Sequence, residues 1–207
     1  FTEGSAFADL AIKVNQQYPS EPIYVEVEFT QKSSISHWTC PLSQTLKPLE
    51  RNFYRSIECG SIAYAFHSAL IHSMHSLFSG ESLDECKKIM ARYAVLMKSK
   101  KQPYQLMIMQ VWQQLTNNLQ VENSQVINLQ GKHFDETLQL PNLMKNQNVT
   151  TLFAYHLARM IQAYLFNNIT QAHVQMLLAQ SYKNSVLSLY HFGEFHFYAA
   201  LIRAKFF

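Results

Sequence analysis

The sequence predicts an all-α protein, a right-handed α-α superhelix of antiparallel helix pairs. Three observations carry that expectation. First, the chain breakers recur. Only five Gly and six Pro occur in 207 residues, and the breaks fall at "YPSEP" (18–22), "CP" (40–41), Gly60, Gly80 and "KSKKQP" (98–103). That is one break about every twenty residues, half of a forty-residue helical hairpin unit. Second, the apolar spacing between breaks is helical. Phe66, Leu70, Met74 and Leu77 follow one face, as do Ile108, Val111, Leu115 and Leu119, and Phe192, Phe195, Ala199, Ile202 and Phe206. Each stripe needs a neighbour to cover it. Third, the turns share a grammar.

That grammar is clearest in "GSIAYA" (60–65), where Ile62 follows Gly60 by two and Ala65 follows it by five. "GESLDEC" (80–86) repeats the pattern with one extra residue and ends in Cys86, while "NNITQA" (167–172) puts Asn167 where Gly would sit. Gly or Asn permits a left-handed turn, the apolar residue plugs the hairpin, and the small residue lets two helices approach. This is the pattern of tetratricopeptide-type repeats in degenerate form, without a Trp-x-x-Leu-Gly start.

In chain order, the first element in question is "IYVEVEFT" (23–30), whose alternation suits a strand locally. No partner strand is visible elsewhere, and a lone strand leaves its backbone groups unpaired. The segment fills one slot between breaks, so a helix is expected, with Ile23 and Val27 on one face continued by Ser34 and Trp38. Ser82 with Glu85 three later marks a capping box before "LDECKKIMARY". The stretch 121–147 lacks helical periodicity and contains Gly131 and Pro141, so a long connection is expected there, with a short helix at 134–139. Nine or ten helices in one repeat domain over 1–207 are the result.

Composition narrows the function classes. Apolar residues make up 48% of the chain and charged residues only 15%, below the usual quarter. Gln, Asn, Ser and His fill the polar surface, which suits contact with neighbouring domains. The net charge of +3 is scattered, and "KSKKQ" (98–102) reads as a solvated turn. No basic stripe with interleaved aromatics is present, so nucleic acid is not an expected partner. No run of about 18 apolar residues occurs, so no membrane span is expected. Cys40, Cys59 and Cys86 are sparse and odd in number, which fits a reducing, cytoplasmic compartment. Both ends read as cut from a longer polypeptide. "NVT" (148–150) and "NIT" (168–170) match the glycosylation acceptor pattern, here as chance matches.

Three constellations bear on chemistry. "HSALIHSMH" puts His67, His72 and His75 on one helix, yet His67 precedes His72 by five and faces elsewhere. Helix-borne metal pairs sit three or four apart with a further ligand nearby, so these histidines read as polar residues on a helix seam and no metal is expected. "GKHFDE" (131–136) offers His133, Asp135 and Glu136 as an acid–base group without a neighbouring nucleophile; a surface turn is the expectation. "HFGEFHFY" (191–198) is an aromatic stripe at helical spacing, more often core than cofactor box. No phosphate-binding Gly-rich loop, kinase loop or HExxH occurs.

The strings "FADLAIKV", "HWTCPLSQTLKPLERNFYRSIECGSIAYAFHSALIHSMHSLFSGESLDEC" and "TTLFAYHLARMIQAYLFNNITQAHVQMLLAQSYKNSV…FHFYAALIRA" resemble one region of the large multi-sensor signal-transduction multi-kinases. Those proteins join a Ser/Thr-kinase-like domain, a STAND-type ATPase, a long helical repeat region, GAF domains and a histidine kinase. The resemblance covers essentially the whole chain and falls on the helical region after the ATPase. It implies a cytoplasmic signalling role that couples the attached catalytic domains, with the phosphate loop, catalytic aspartates and phospho-accepting histidine outside this chain. None of the nine His matches a phospho-acceptor motif, so no catalytic or cofactor-binding residue is carried over.

A non-catalytic interaction module follows as the expected function, its partners being neighbouring domains of the same polypeptide and other proteins. A partner on a concave face would alter the stacking of adjacent units. His67, His75, Tyr104 and Trp112 are the candidate interaction surface. The rival is a small-ligand sensor with His191, His196 and Tyr198 closing a pocket against the long connection.

Overall fold

The computed structural model describes residues 2–120 and 128–206, and among them every regular element is helical. The chain divides into two compact units, Phe1–Gln105 and Leu106–Phe207. The continuous repeat domain expected over 1–207 meets this division inside the first turn of its sixth helix.

The first unit holds α1 (Thr2–Gln17), α2 (Glu21–Thr30), α3 (Leu46–Glu58), α4 (Ile62–Phe78) and α5 (Leu83–Ser99). "IYVEVEFT" lies wholly inside α2. Ser20 is extended ahead of it (φ −142°, ψ 108°), Pro22 sits in the first turn, and Tyr24 N–H donates to Ser20 O at 2.9 Å. Proline is pre-set for a helix start because the first N–H groups have no intrahelical partner. Global consistency thus prevails over local strand propensity. The inward face, however, is Val25 and Glu28, at 0% and 2% exposure, not Ile23 and Val27; Ile23 is 54% exposed. After α2 the helix loosens into a π-turn at Gln31–Ile35 and tightens into 3₁₀ turns at Ser36–Trp38 and Leu42–Thr45.

The core of this unit is aromatic. Phe53 of α3 packs edge-on against Phe66 of α4 (centroids 6.0 Å apart) and Tyr93 of α5 (5.0 Å). Such pairs add roughly 0.5–1.5 kcal/mol each beyond the area they bury. Asn52, fully buried, donates through Nδ2 to Val25 O and to Ser68 Oγ, both at 3.0 Å, and so fastens α3 to α2 and α4. Ser68, Ser73 and Ser76 are also buried on α4; Ser73 Oγ returns its proton to Ala69 O at 2.9 Å.

The second unit contains α6 (Pro103–Leu119, all but Pro103, Tyr104 and Gln105), α7 (Glu136–Lys145), α8 (Val149–Leu165), α9 (Ile169–Gln180) and α10 (Tyr190–Phe206), with a 3₁₀ turn at Lys183–Val186. Its centre is α8, where every residue from Thr151 to Ala163 is buried. Of the expected 121–147 connection, residues 121–127 lie outside the described residues. The remainder is more ordered than expected. Residues 128–135 form a tight turn, with Gln130 bridging Asp135, and α7 follows for ten residues instead of a short helix at 134–139. Pro141 sits inside α7. It removes the N–H that would bond to Thr137 O, but Thr137 is exposed, so the loss falls on the solvent side.

The turn grammar holds in three dimensions. Gly60, Gly80 and Asn167 have φ of 81°, 89° and 59°, and two further residues, Lys101 (54°) and Gln147 (49°), take the same conformation. Ala65, Cys86 and Ala172, each four residues after the cap, are all 0% exposed. Around Gln147 and Asn167 the geometry is the same. Asn148 N–H reaches Leu143 O (3.0 Å) and Asn168 N–H reaches Ala163 O (2.8 Å), the long bond of a Schellman closure. Asn148 Oδ1 then caps α8 from Thr151 N–H (3.3 Å), and Asn168 Oδ1 caps α9 from Gln171 N–H (3.1 Å). The two acceptor-like triplets are therefore helix caps followed by an apolar first residue.

Candidate functional site

In the first unit α1 is the wall of two grooves. On one side Phe7, Leu10, Ala11, Val14, Asn15 and Tyr18 face Ile23 and Val27 of α2 across a trough of about 470 Å³. This wall is apolar and open: Phe7 is 72% exposed, Tyr18 69%, Leu10 54%. The residues recur every three or four positions, so they form one stripe along α1. Nothing among the described residues covers it. Monomers rarely expose contiguous apolar patches of any size without a use for them.

The opposite groove is polar, about 450 Å³, and lined by Asp9, Ile12, Lys13 and Gln16 of α1, Tyr24 and Glu28 of α2, Gln31 and Lys32 of the π-turn, and Pro48 and Arg51 of α3. At its floor the Glu28 side chain is only 3% exposed. Its Oε1 takes a charge-assisted hydrogen bond from Arg51 Nη2, while Oε2 has no donor. Gln31 Nε2 donates to Asp9 Oδ1 at 2.8 Å. Lys13 and Lys32 enter no ion pair among the described residues. The π-turn matters here: an ordinary helical turn would rotate Gln31 and Lys32 differently about the axis.

The candidate interaction residues do not form one surface. Tyr104 is 42% exposed and His67 half-buried, but His75 and Trp112 are both 0% exposed. His75 Nδ1 lies 2.7 Å from Thr45 Oγ1 inside the first unit, and the Trp112 indole lies tilted against His191 in the second, centroids 5.8 Å apart. Both belong to cores, because large rings at helical spacing bury more apolar area inside than any surface contact would. The candidate pocket fares similarly. His191 is buried, His196 is exposed and rests against Phe192 and Phe195, and Tyr198 is half-buried against Tyr164. Positions 191 and 198, seven residues apart, lie on one side of α10, while position 196, five residues after 191, is turned well away from both.

The histidine-rich helix resolves as a seam. His72 Nδ1 is 3.0 Å from Tyr93 Oη on α5, whereas His75 turns to Thr45. Burial lowers the His72 pKa to about 4 and that of His37 to about 4, and pushes the Tyr93 phenol up. Among the described residues no three His, Cys, Asp or Glu side chains converge as a metal site would need. Cys40, Cys59 and Cys86 are free thiols.

His133, Asp135 and Glu136 part company too. Asp135 caps α7, accepting from Thr137 N–H (2.9 Å) and Oγ1 (2.6 Å). Glu136 turns inward, its Oε2 3.3 Å from Arg159 Nε and accepting from Leu129 N–H (2.9 Å) and Tyr155 Oη (3.0 Å). Burial, with the Glu136 charge beside it, pushes the Tyr155 phenol up to about 12. Gln114, Asn118 and Gln162 extend this network, Asn118 Nδ2 donating to Gln162 Oε1 at 3.0 Å and Gln114 Nε2 to Asn118 Oδ1 at 2.7 Å. It fastens the 128–135 turn to α6 and α8.

The sequence reading missed both grooves. The apolar one had a signal in Phe7, Leu10 and Val14 at three and four; Glu28 had none, because only the packed structure shows which face α2 turns inward. Comparison with protein-family models, with curated proteins and with solved structures finds no match to this chain. Among the described residues no helix is long and apolar enough to cross a membrane.

Proposed function

We propose that the chain is a non-catalytic protein-interaction module built as a tetratricopeptide-like, right-handed superhelix of antiparallel helix pairs, acting in a cytoplasmic sensor kinase of the multi-sensor multi-kinase type. The observation that carries the reading is the open apolar trough between α1 and α2. Its occupant is an amphipathic helix. Along α1 the stripe from Phe7 to Tyr18 extends about 16 Å at 1.5 Å per residue, three turns of a docked helix. Within the same unit the like stripe on α4 is covered by neighbouring helices, and a helix laid in the α1–α2 trough would cover this one in the same way. The family resemblance and the low share of charged residues support a module that works against other domains, coupling signal input to attached ATPase and kinase domains.

The test is a titration of a fluorescent amphipathic peptide, with Leu at i, i+3, i+7 and i+11, onto the chain and onto a Leu10→Glu/Val14→Glu variant. Saturable binding that weakens at least about tenfold in the variant is expected. Equal binding to both proteins, or none to either, refutes the reading, and self-association that the variant abolishes assigns the trough to a second copy instead.

A further inference from the structure

One constant shift along the chain carries α3 to α6 onto α7 to α10. It takes Ile62–Phe78 (α4) to Val149–Leu165 (α8) and Pro103–Leu119 (α6) to Tyr190–Phe206 (α10), end for end. α3 and α7 stop at Glu58 and Lys145, the same interval apart, and the left-handed residues Gly60 and Gly80 land on Gln147 and Asn167. α5 lands on α9 together with its 3₁₀ turn, whose last residue, Val186, answers to Ser99. The chain thus holds one four-helix set twice. α1 and α2 precede α3 as α5 and α6 precede α7, and Pro22 in the first turn of α2 answers to Pro103 at the start of α6.

In each set the third helix covers the second with one stripe. On α5 it is Cys86, Met90, Tyr93 and Met97, spaced four, three and four and all 0% exposed. Ser76 Oγ of α4 lies 3.5 Å from Cys86 Sγ and His72 Nδ1 lies 3.0 Å from Tyr93 Oη, so the two helices run antiparallel. On α9 the stripe is Ala172, Met176 and Ala179, all buried, beside Gln175, whose Oε1 meets His156 Nδ1 of α8 at 2.8 Å. α1 repeats the spacing in Phe7, Ala11, Val14 and Tyr18 along the wall of the trough, but here Phe7, Val14 and Tyr18 are exposed. A solvated face accounts for single exposed apolar residues, not for a contiguous run at the spacing that two sister helices bury.

We infer that the trough takes a helix of the α4 and α8 kind from a partner domain, running antiparallel to α1. The inference rests on the docking of a helix in the trough and adds that helix's character, direction and register. α4 and α8 are dense in small buried residues, Ala65, Ala69, Ser73 and Ser76 on one and Ala154, Ala158 and Ala163 on the other. Phe7 stands where Cys86 and Ala172 stand, so close packing requires a small residue facing it, as Ser76 faces Cys86. On α8 the place of Ser76 is held by Ala163. A second copy of the chain has no such helix to lend, because α4 and α8 are buried within it.

The probe is a peptide with the sequence of residues 148–166, carrying a fluorophore for affinity or a nitroxide at its C-terminus for direction. It binds the whole chain saturably, and at least about tenfold more tightly than it binds the Leu10→Glu/Val14→Glu variant or than the same residues in reversed order bind the chain. The nitroxide broadens the Phe7 amide resonance far more than that of Tyr18, about 16 Å further along α1. Ala163→Phe in the peptide sets a second ring against Phe7 and lowers affinity at least about tenfold. Stronger broadening at Tyr18 overturns the inference, as does full affinity in the reversed or Ala163→Phe peptide, or no binding of the 148–166 peptide. Any of these, with the Leu peptide still bound, leaves a helix in the trough and removes only its likeness to α4 and α8. Failure of the Leu peptide as well removes both.

Discussion

Acidification is the perturbation for which the first unit gives the clearest magnitude. His72 is 5% exposed, bonded to Tyr93 Oη, and faces Glu50 and Arg92; burial, the largest cause, lowers its pKa from 6.5 to about 4. Above pH 6.5 the imidazole is neutral folded and unfolded, and contributes nothing to the pH dependence. Between 6.5 and 4 the unfolded chain binds a proton that the folded chain refuses, so stability falls as pH falls; below 4 this group adds no further loss. At 1.36 kcal/mol per pKa unit the full loss is about 3 kcal/mol, of which about 2 kcal/mol is gone by pH 5. His37, lowered to about 4 by burial, acts in the same direction.

The assay is urea unfolding at pH 7 and pH 5, followed by tryptophan emission. The chain has two tryptophans, Trp38 in the first unit and Trp112 in the second, so a Trp112→Phe background reports on the unit that holds His72. With a slope of about 2 kcal/mol per molar urea, the His72 share of the midpoint shift is roughly 1 M. His72→Gln keeps a hydrogen-bonding group for Tyr93 and removes the titration. Its constant cost cancels when the two pH values are compared within the variant. A shift between pH 7 and pH 5 as large in the variant as in the parent refutes the buried-neutral assignment.

Two further predictions concern the second unit. Gln147→Gly relieves a side chain at φ 49° and raises stability by roughly 0.5–1 kcal/mol, read from a chemical denaturation midpoint. Arg159→Met leaves the half-buried Glu136 with only Leu129 N–H and Tyr155 Oη and costs about 3 kcal/mol, while the double change Glu136→Leu/Arg159→Met recovers much of that loss in a double-mutant cycle, because both charges then leave together.

What could be read from the sequence was what repeats. The helix over 23–30, the left-handed positions at Gly60, Gly80 and Asn167, the buried small residues Ala65, Cys86 and Ala172, and the Ser82 cap onto Glu85 N–H (3.2 Å) all follow from spacing and turn chemistry. Gln147 escaped notice because Gln carries no turn signal of its own; only the match of "NQNVT" to "FNNIT" reveals it. Pro141 misled, since a proline reads as a stop unless its lost bond faces solvent. The burial of His75 and Trp112 escaped because periodicity gives a face, not the neighbour that covers it. Glu28 was hidden for the same reason: which side of α2 turns inward depends on α1 and α3.

A single rod, α1, forms one bank of two channels of opposite character, greasy on the Leu10 side and ionic on the Lys13 side. Whatever settles in one channel and shifts or stiffens that rod alters the other, and by thermodynamic necessity the influence is equal in both directions.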